Sequence, residues 1–136
     1  MLHSSIAQVE CKVPRKLEIA VIDDDEPFRM ALVDSLSSLG FGADGYASAE
    51  AYTSTVAIVS CDCIVTDIHM PGMSGLELIK WLMARGSAVP VVLITAHTEE
   101  NLEGRAASAG AAGLLRKPFE IDDLVECIER TLRTSR

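Results

Sequence analysis

Two short apolar runs that end in aspartate place the strongest constraint on the fold of this chain. Residues 17–22 precede Asp23 and Asp24, and residues 63–66 precede Asp67. Runs of this length, rich in Ile and Val and alternating with helical stretches, are typical of strands buried in a parallel sheet. Ligands of an open parallel sheet bind beyond the carboxyl ends of its strands. The pattern therefore predicts three carboxylates at one edge of the sheet, where a divalent cation would relieve their mutual repulsion.

The rest of the chain continues the alternation of strand and helix. Strand patterns occupy residues 17–22, 41–46, 63–67, 91–95 and 112–116, and helix patterns occupy residues 27–39, 49–55, 74–85, 99–109 and 121 onwards. Five strands alternating with five helices predict an α/β protein, a flavodoxin-like three-layer sandwich whose five-stranded parallel sheet has the order 2-1-3-4-5. Residues 1–16 lack periodicity and contain Pro14, so we interpret them as an N-terminal extension of one domain over residues 17–134.

Composition and charge narrow the classes of partner. The 136 residues carry 20 acidic and 12 basic side chains, a formal net charge of −8. An acidic surface of this kind repels phosphate groups, which argues against direct binding of nucleic acid or of an anionic membrane. The sequence contains no signal-peptide pattern and no apolar stretch long enough to span a bilayer. We therefore expect a cytoplasmic protein.

The cysteines and histidines do not form a recognisable transition-metal motif. The C-x-C pair at residues 61 and 63 lacks the spacing of a zinc knuckle, and all four cysteines are interpreted as reduced thiols, with Cys63 and Cys127 buried. His69 and His97 have no third histidine or paired cysteine to complete a zinc site.

Further chemistry-bearing residues also fall at the carboxyl edge of the predicted sheet. Thr95 ends the fourth strand, and Lys117 directly follows the fifth. Carboxylate oxygens suit Mg²⁺, while an ammonium and a hydroxyl can neutralise and orient the oxygens of a phosphoryl group. Asp67 stands alone at its strand end and is the best candidate for a nucleophile, which would form an aspartyl phosphate. Asp23 and Asp24 are then better placed to hold the metal.

Four ordered motifs make a family resemblance specific. They read VIDDDEP at residues 21–27, VTDIHMPGMSG at residues 65–75, LITA at residues 93–96 and LRKPF at residues 115–119. Together they resemble the receiver domain of two-component response regulators, and the resemblance covers about residues 17–134.

The resemblance implies a phosphorylation site and its metal ligands. Asp67 would accept a phosphoryl group from a phosphohistidine on a sensor histidine kinase or a histidine phosphotransfer protein. Asp24, Asp67 and the main-chain carbonyl of His69 would bind Mg²⁺, with Mn²⁺ as an alternative, and Asp23 would act mostly through a metal-bound water. Lys117 would pair with the acidic residues and then with the phosphoryl group.

The resemblance also implies how the signal leaves the site. The bond between Lys117 and Pro118 is expected to be cis. Thr95 would move toward the phosphoryl oxygen and reshape the face formed by the last two helices and the fifth strand. Many receivers carry Phe or Tyr three residues before the lysine, whereas this chain has Leu114, so the switch would lack its usual aromatic ring.

His69 and His97 invite a different hypothesis from metal binding. They stand two residues after Asp67 and Thr95, positions that in the family influence how fast water reaches the phosphoryl group. We expect both imidazoles to lie at the mouth of the phosphorylation site and to tune dephosphorylation.

Taken together, these patterns predict a phospho-acceptor signalling protein, with weak self-dephosphorylation, rather than a turnover enzyme. Because the chain ends at Arg136, we expect a stand-alone receiver that acts on a downstream protein target, with phosphorylation-dependent dimerisation as a further option. Three alternatives stay open. They are the excised receiver domain of a longer transcription regulator, a pure interaction module, and a Mg²⁺-dependent aspartyl-phosphate phosphohydrolase, although the last class needs an acid where His69 stands.

Overall fold

The computed structural model describes residues 16–55 and 61–134 of the chain. Within them, the strands are β1 (Glu18–Ile22), β2 (Gly42–Tyr46), β3 (Cys63–Asp67), β4 (Val91–Thr95) and β5 (Gly113–Arg116). The helices are α1 (Glu26–Ser38), α2 (Ala49–Thr53), α3 (Gly75–Ala84), α4 (Leu102–Ala109) and α5 (Ile121–Thr134). The strands form one parallel sheet in the order β2-β1-β3-β4-β5, which confirms the predicted flavodoxin-like architecture.

Alternation along β1 shows how the sheet separates two apolar cores. Ile19 and Val21 face one side, where they pack with buried residues of α1 and α5. Ala20 and Ile22 face the other side, where they pack with buried residues of α2, α3 and α4. Successive side chains of a strand point to opposite faces, so a run that is apolar at every position requires helices on both faces. The three predicted layers follow from this requirement.

The start of α4 differs from its prediction. The helical pattern begins at Glu99, whereas α4 begins at Leu102. Asn101 intervenes with a left-handed backbone, φ 65°, and its side chain makes no capping hydrogen bond. Asn is one of the few residues that adopt this conformation readily, and a left-handed residue interrupts a right-handed helix. Glu99 therefore belongs to the loop between β4 and α4.

Two of the four cysteines lie in the core, as predicted. Cys63 and Cys127 are buried and unpaired, and burial raises the pKa of Cys63 to about 12, which keeps its thiol protonated. Cys11 and nearly all of the predicted extension, residues 1–15, lie outside the described residues. In the part of the chain that is described, no helix is both long and apolar enough to cross a bilayer.

A reciprocal cap fixes the beginning of α3, the helix that follows the loop after Asp67. The Ser74 hydroxyl oxygen accepts a hydrogen bond from the amide of Glu77 at 3.1 Å, and the Glu77 carboxylate accepts one from the amide of Ser74 at 2.9 Å. These two bonds satisfy amides that the helix leaves without an internal partner. The cap thereby defines where the loop after β3 ends.

Replacing Ser74 with Ala should lower the free energy of unfolding by about 1 kcal/mol, because the Glu77 amide loses its acceptor. Urea unfolding would measure the change. Ser37→Ala, at an exposed position within α1, is the matched control and should shift the unfolding free energy by less than about 0.5 kcal/mol. Equal stabilities of the Ser74→Ala variant and the wild type would show that the cap contributes nothing.

Candidate functional site

Three carboxylates meet at the carboxyl edge of the sheet. Asp23 follows β1 directly, Asp67 is the last residue of β3, and these two strands are paired neighbours. Together with Asp24, they place one carboxylate oxygen each within 4.8 Å of one another. Asp23 is completely buried, Asp67 is nearly so and Asp24 is exposed. The structure thus brings together the three acidic residues that the strand pattern singled out.

The ammonium of Lys117 lies between two of these carboxylates. Its Nζ donates to Oδ2 of Asp23 at 3.0 Å and to Oδ2 of Asp67 at 3.4 Å. The same atom sits 4.0 Å from the ring centroid of Phe28, a favourable position for a cation over an aromatic face. The main chain holds the lysine in place as well, because its amide donates to the carbonyl of Thr95 and its bond to Pro118 is cis, as expected.

The surroundings shift the proton affinities of both partners in this ion pair. Burial raises the pKa of Asp23, although the amide of Asp25 and the ammonium of Lys117 oppose the shift. Burial alone would lower the pKa of Lys117, but the carboxylates of Asp23 and Asp67 outweigh it and raise that pKa. The lysine therefore stays charged. With all three carboxylates ionised, one ammonium leaves two negative charges in the cluster uncompensated.

This arrangement fits a hard divalent cation. Mg²⁺ prefers oxygen ligands and usually keeps several waters, so it needs a cluster that is open on one side. The exposed carboxylate of Asp24 provides that opening, and Asp67 retains a side chain that is 13% exposed. Asp23 already accepts bonds from the amide of Asp25 and from Lys117, which suits an indirect role. For His69, the amide donates to Asp67 at 3.2 Å, while its carbonyl as a ligand stays a prediction.

Thr95 and Leu114 lie near the site without joining the acidic cluster. Thr95 is completely buried at the end of β4, and its hydroxyl oxygen accepts a hydrogen bond from the amide of His97 at 3.0 Å. The hydroxyl is thus engaged within its own loop. Leu114 is half-buried, pairs with Leu93 in the sheet and packs on the core shared with α3 and α4. Their roles in a switch stay predictions.

The rings of His69 and His97 lie next to each other and next to a third group, while their predicted place at the mouth of the phosphorylation site stays a prediction. Their ring centroids lie 3.9 Å apart. An oxygen of Glu99 lies 2.9 Å from Nε2 of His69 and 4.0 Å from Nδ1 of His97. Sequence reasoning missed Glu99 because it treated this residue as the start of α4. Its position two residues after His97, directly after the predicted loop, was the available signal.

Two residues of α1 also escaped the sequence analysis. Phe28 supplies the ring beneath the lysine, and the guanidinium of Arg29 donates to the main-chain carbonyl of Asp23 at 2.7 Å. Both sit in the first turn of the helix, directly after the acidic run. That position was the only signal, since aromatic and basic residues are common in helices for other reasons.

Comparison with known proteins agrees with this geometry. The family model described as "Response regulator receiver domain" matches residues 19–129. The transcriptional regulatory protein FixJ of Azorhizobium caulinodans is 38% identical over 123 residues, which cover 90% of this chain and 58% of that protein. The chain thus spans little more than half the length of this relative.

Solved structures extend the similarity to the fold. The crystal structure of FixJ-N has a TM-score of 0.81 and 34% sequence identity, over 88% of this chain and 96% of that one. The Vibrio cholerae chemotaxis protein CheY4 has a TM-score of 0.78 over 86% of this chain and 99% of that one. At 24% identity, this second likeness supports the fold alone.

The raised pKa of Asp23 predicts a pH-dependent gain from Asp23→Asn in metal-free buffer. Below the ordinary pKa of 3.8, the carboxyl is protonated in both folded and unfolded chains, so the substitution changes little. Between that value and the raised one, only the folded chain keeps the proton, so wild-type stability falls as the pH rises. Asn carries no charge and escapes this loss.

Urea unfolding in the presence of a chelator would measure this effect near the ordinary pKa and at neutral pH. The variant should exceed the wild type in unfolding free energy at neutral pH, and the difference should shrink on acidification. Asp34→Asn, at an exposed position of α1, should show no such trend. A loss of stability at neutral pH would contradict the prediction.

Proposed function

This chain belongs to the response regulator receiver domain family, and from that premise we propose that it is the phospho-acceptor of a two-component phosphorelay. Receiver domains of two-component systems receive phosphoryl groups from histidine kinases. The observation that carries the proposal is the partly exposed carboxylate of Asp67, which lies 3.4 Å from the ammonium of Lys117 and beside two further carboxylates. The donor would be a sensor histidine kinase or a histidine phosphotransfer protein.

Asp67 is the proposed nucleophile because its side chain keeps 13% exposure, whereas Asp23 has none. A carboxylate oxygen of Asp67 attacks the phosphorus of the phosphohistidine, and the new O–P bond forms as the P–N bond breaks. The imidazole nitrogen of the donor keeps the electron pair of that bond and takes up a proton. Asp23 is unsuited to this role, since it is fully buried and already bonded to Lys117 and to the amide of Asp25.

The site would promote this transfer mainly by neutralising negative charge on the phosphoryl group. Lys117 presents an ammonium that pairs with Asp67 now and would pair with a phosphoryl oxygen afterwards. Asp24 and Asp67 would hold Mg²⁺, with Mn²⁺ as an alternative, together with the carbonyl of His69, and Asp23 would act through a bound water. The bound cation would offset negative charge on the phosphoryl oxygens.

A route from the site to the surface runs through the loop between β4 and α4. In the proposed switch, the Thr95 hydroxyl gives up its bond to the amide of His97 and donates to a phosphoryl oxygen. The guanidinium of Arg116 in β5 donates to the carbonyl of His97 at 2.6 Å and lies 3.2 Å from the carboxylate of Glu103 in α4. Movement of the loop would therefore alter the α4–β5–α5 face, with Leu114 repacking beneath it.

That face is where we propose that a downstream protein target, or a second copy of the chain, binds. We propose that the domain acts in the cytoplasm, alone or within a longer transcription regulator, and that it makes no direct contact with nucleic acid. We further propose that self-dephosphorylation is weak and that the protein is not a turnover enzyme. Steady hydrolysis of small phosphomonoesters would instead favour the Mg²⁺-dependent phosphohydrolase, and absence of phosphorylation would favour a pure interaction module.

Incubation with acetyl phosphate and Mg²⁺ should add the mass of one phosphoryl group to the wild-type protein. Asp67→Asn should gain nothing, because an amide cannot serve as the nucleophile, and a chelator should abolish the gain in the wild type. Asp44→Asn, an exposed acid of β2, is the matched control and should be modified like the wild type. Intact-mass spectrometry measures all of these, and equal modification of Asp67→Asn would contradict the proposal.

The neighbouring imidazoles of His69 and His97 predict an effect on the lifetime of the phosphorylated form. Replacing His69 or His97 with Ala removes a ring from the mouth of the site, so water should reach the phosphoryl group sooner and the lifetime should shorten. Decay of the phosphorylated mass after removal of acetyl phosphate measures it. Asp44→Asn again serves as control, and unchanged lifetimes in both histidine variants would reject a tuning role.

A further inference from the structure

Two loops contribute three nitrogen and oxygen donors to one small region outside the acidic cluster. His69 lies in the loop after β3, while His97 and Glu99 lie in the loop after β4. One donor atom from each side chain lies within 4.8 Å of the other two. The side chains are 37%, 54% and 44% exposed respectively, so an ion in solvent can reach them. The proposed phosphoryl transfer uses none of these three side chains as a ligand.

The distances among these donors suit a tetrahedral ion of the zinc class. Zinc bonds to imidazole nitrogen and carboxylate oxygen are about 2.0–2.2 Å long, which places tetrahedral ligand atoms roughly 3.3–3.5 Å apart. The Glu99 oxygen lies 2.9 Å from the His69 nitrogen and 4.0 Å from the His97 nitrogen, on either side of that spacing. The ring planes are tilted by 35°, and His97 is exposed enough to reorient by a side-chain rotation. Small rotations of the side chains would thus bring the donor atoms to the tetrahedral spacing.

The chemistry of the donors separates this cluster from the acidic one. Imidazole nitrogen suits zinc and its neighbours in the first transition row, whereas a set made only of carboxylates suits Mg²⁺. The guanidinium of Arg105 lies 3.6 Å from the other oxygen of Glu99. It contacts the oxygen that does not face the imidazoles, and it can orient the carboxylate as a ligand.

We propose that His69, His97 and Glu99 form a binding site for Zn²⁺ or a similar borderline divalent metal, with solvent completing the coordination. Bound metal would link the loop that follows Asp67 to the loop that follows Thr95. The two segments that the proposed switch must move relative to each other would then be cross-linked. The binding itself does not depend on phosphorylation and is tested without it.

Calorimetric titration with Zn²⁺ in excess Mg²⁺ tests the site directly. The full chain should carry His3→Ala and Cys11→Ser as a background, because these residues offer zinc ligands of their own. We expect one Zn²⁺ per chain. Loss of a ligand should weaken binding by at least about tenfold, since even partners outside the coordination sphere contribute roughly 10–100-fold. His69→Ala, His97→Ala and Glu99→Gln should each show that loss, whereas the neighbouring Glu100→Gln should not.

Two further measurements locate the metal. Zinc should shift the ring-nitrogen NMR signals of His69 and His97, a response that a structural role of the histidines would not produce. Asp67→Asn should leave zinc binding intact, because it changes none of the three ligands and its amide oxygen can still accept the hydrogen bond from the His69 amide. Unchanged circular dichroism would show that the variants fold. Absence of binding, equal binding by the His69→Ala/His97→Ala double variant, or loss of binding in Asp67→Asn would each overturn the proposal.

Discussion

The ion pair between the ammonium of Lys117 and the buried carboxylate of Asp23 is the interaction on which the candidate site depends. A fully buried carboxylate is costly without a partner. The lysine offsets that cost and reaches Asp67 at the same time. It cannot neutralise all three carboxylates, and the remaining negative charge favours a divalent cation. The same contacts therefore reduce the cost of burying Asp23 and prepare the sheet edge for an anionic group.

The parallel sheet explains why residues distant in the sequence form this pair. Lys117 and Asp23 are 94 positions apart, yet each follows the carboxyl end of a parallel strand. The order β2-β1-β3-β4-β5 places β1 and β3 side by side, so Asp23 and Asp67 become neighbours. Because every strand of the parallel sheet ends at the same edge, each loop that follows a strand starts there. The loops after β3 and β4 could in this way also bring their imidazoles together.

Much of the site was predictable because it depends on strand ends. The apolar runs before Asp23 and Asp67 are rich in β-branched residues, which favour strands. The two aspartates are therefore expected at the edge of the sheet, where they lie. Lys117 follows from the same reasoning, once the fifth strand is recognised. The buried and exposed states of Asp23 and Asp24 were not predictable, since they depend on how α1 packs over the site.

The loop after β4 shows where prediction from sequence stopped. The left-handed backbone of Asn101 interrupts the helical pattern, and neither a glycine nor a proline at this position signals the interruption in the sequence. Glu99 therefore lies in the loop, where its carboxylate contacts His69. A contact between loops depends on side-chain orientation and on tertiary packing, which periodicity does not encode. Both the tuning of dephosphorylation and the proposed zinc site concern this segment.

The dependence of stability on Mg²⁺ tests most directly whether the acidic cluster is a cation site. A ligand that binds only the folded chain stabilises it by RT ln(1 + [L]/Kd), about 1.4 kcal/mol for each tenfold increase above Kd. We predict that the unfolding free energy of the wild type rises in this way with Mg²⁺, and that the rise is greatly reduced in Asp67→Asn. A wild-type unfolding free energy that is independent of Mg²⁺, or an equal rise in Asp67→Asn, would contradict the account.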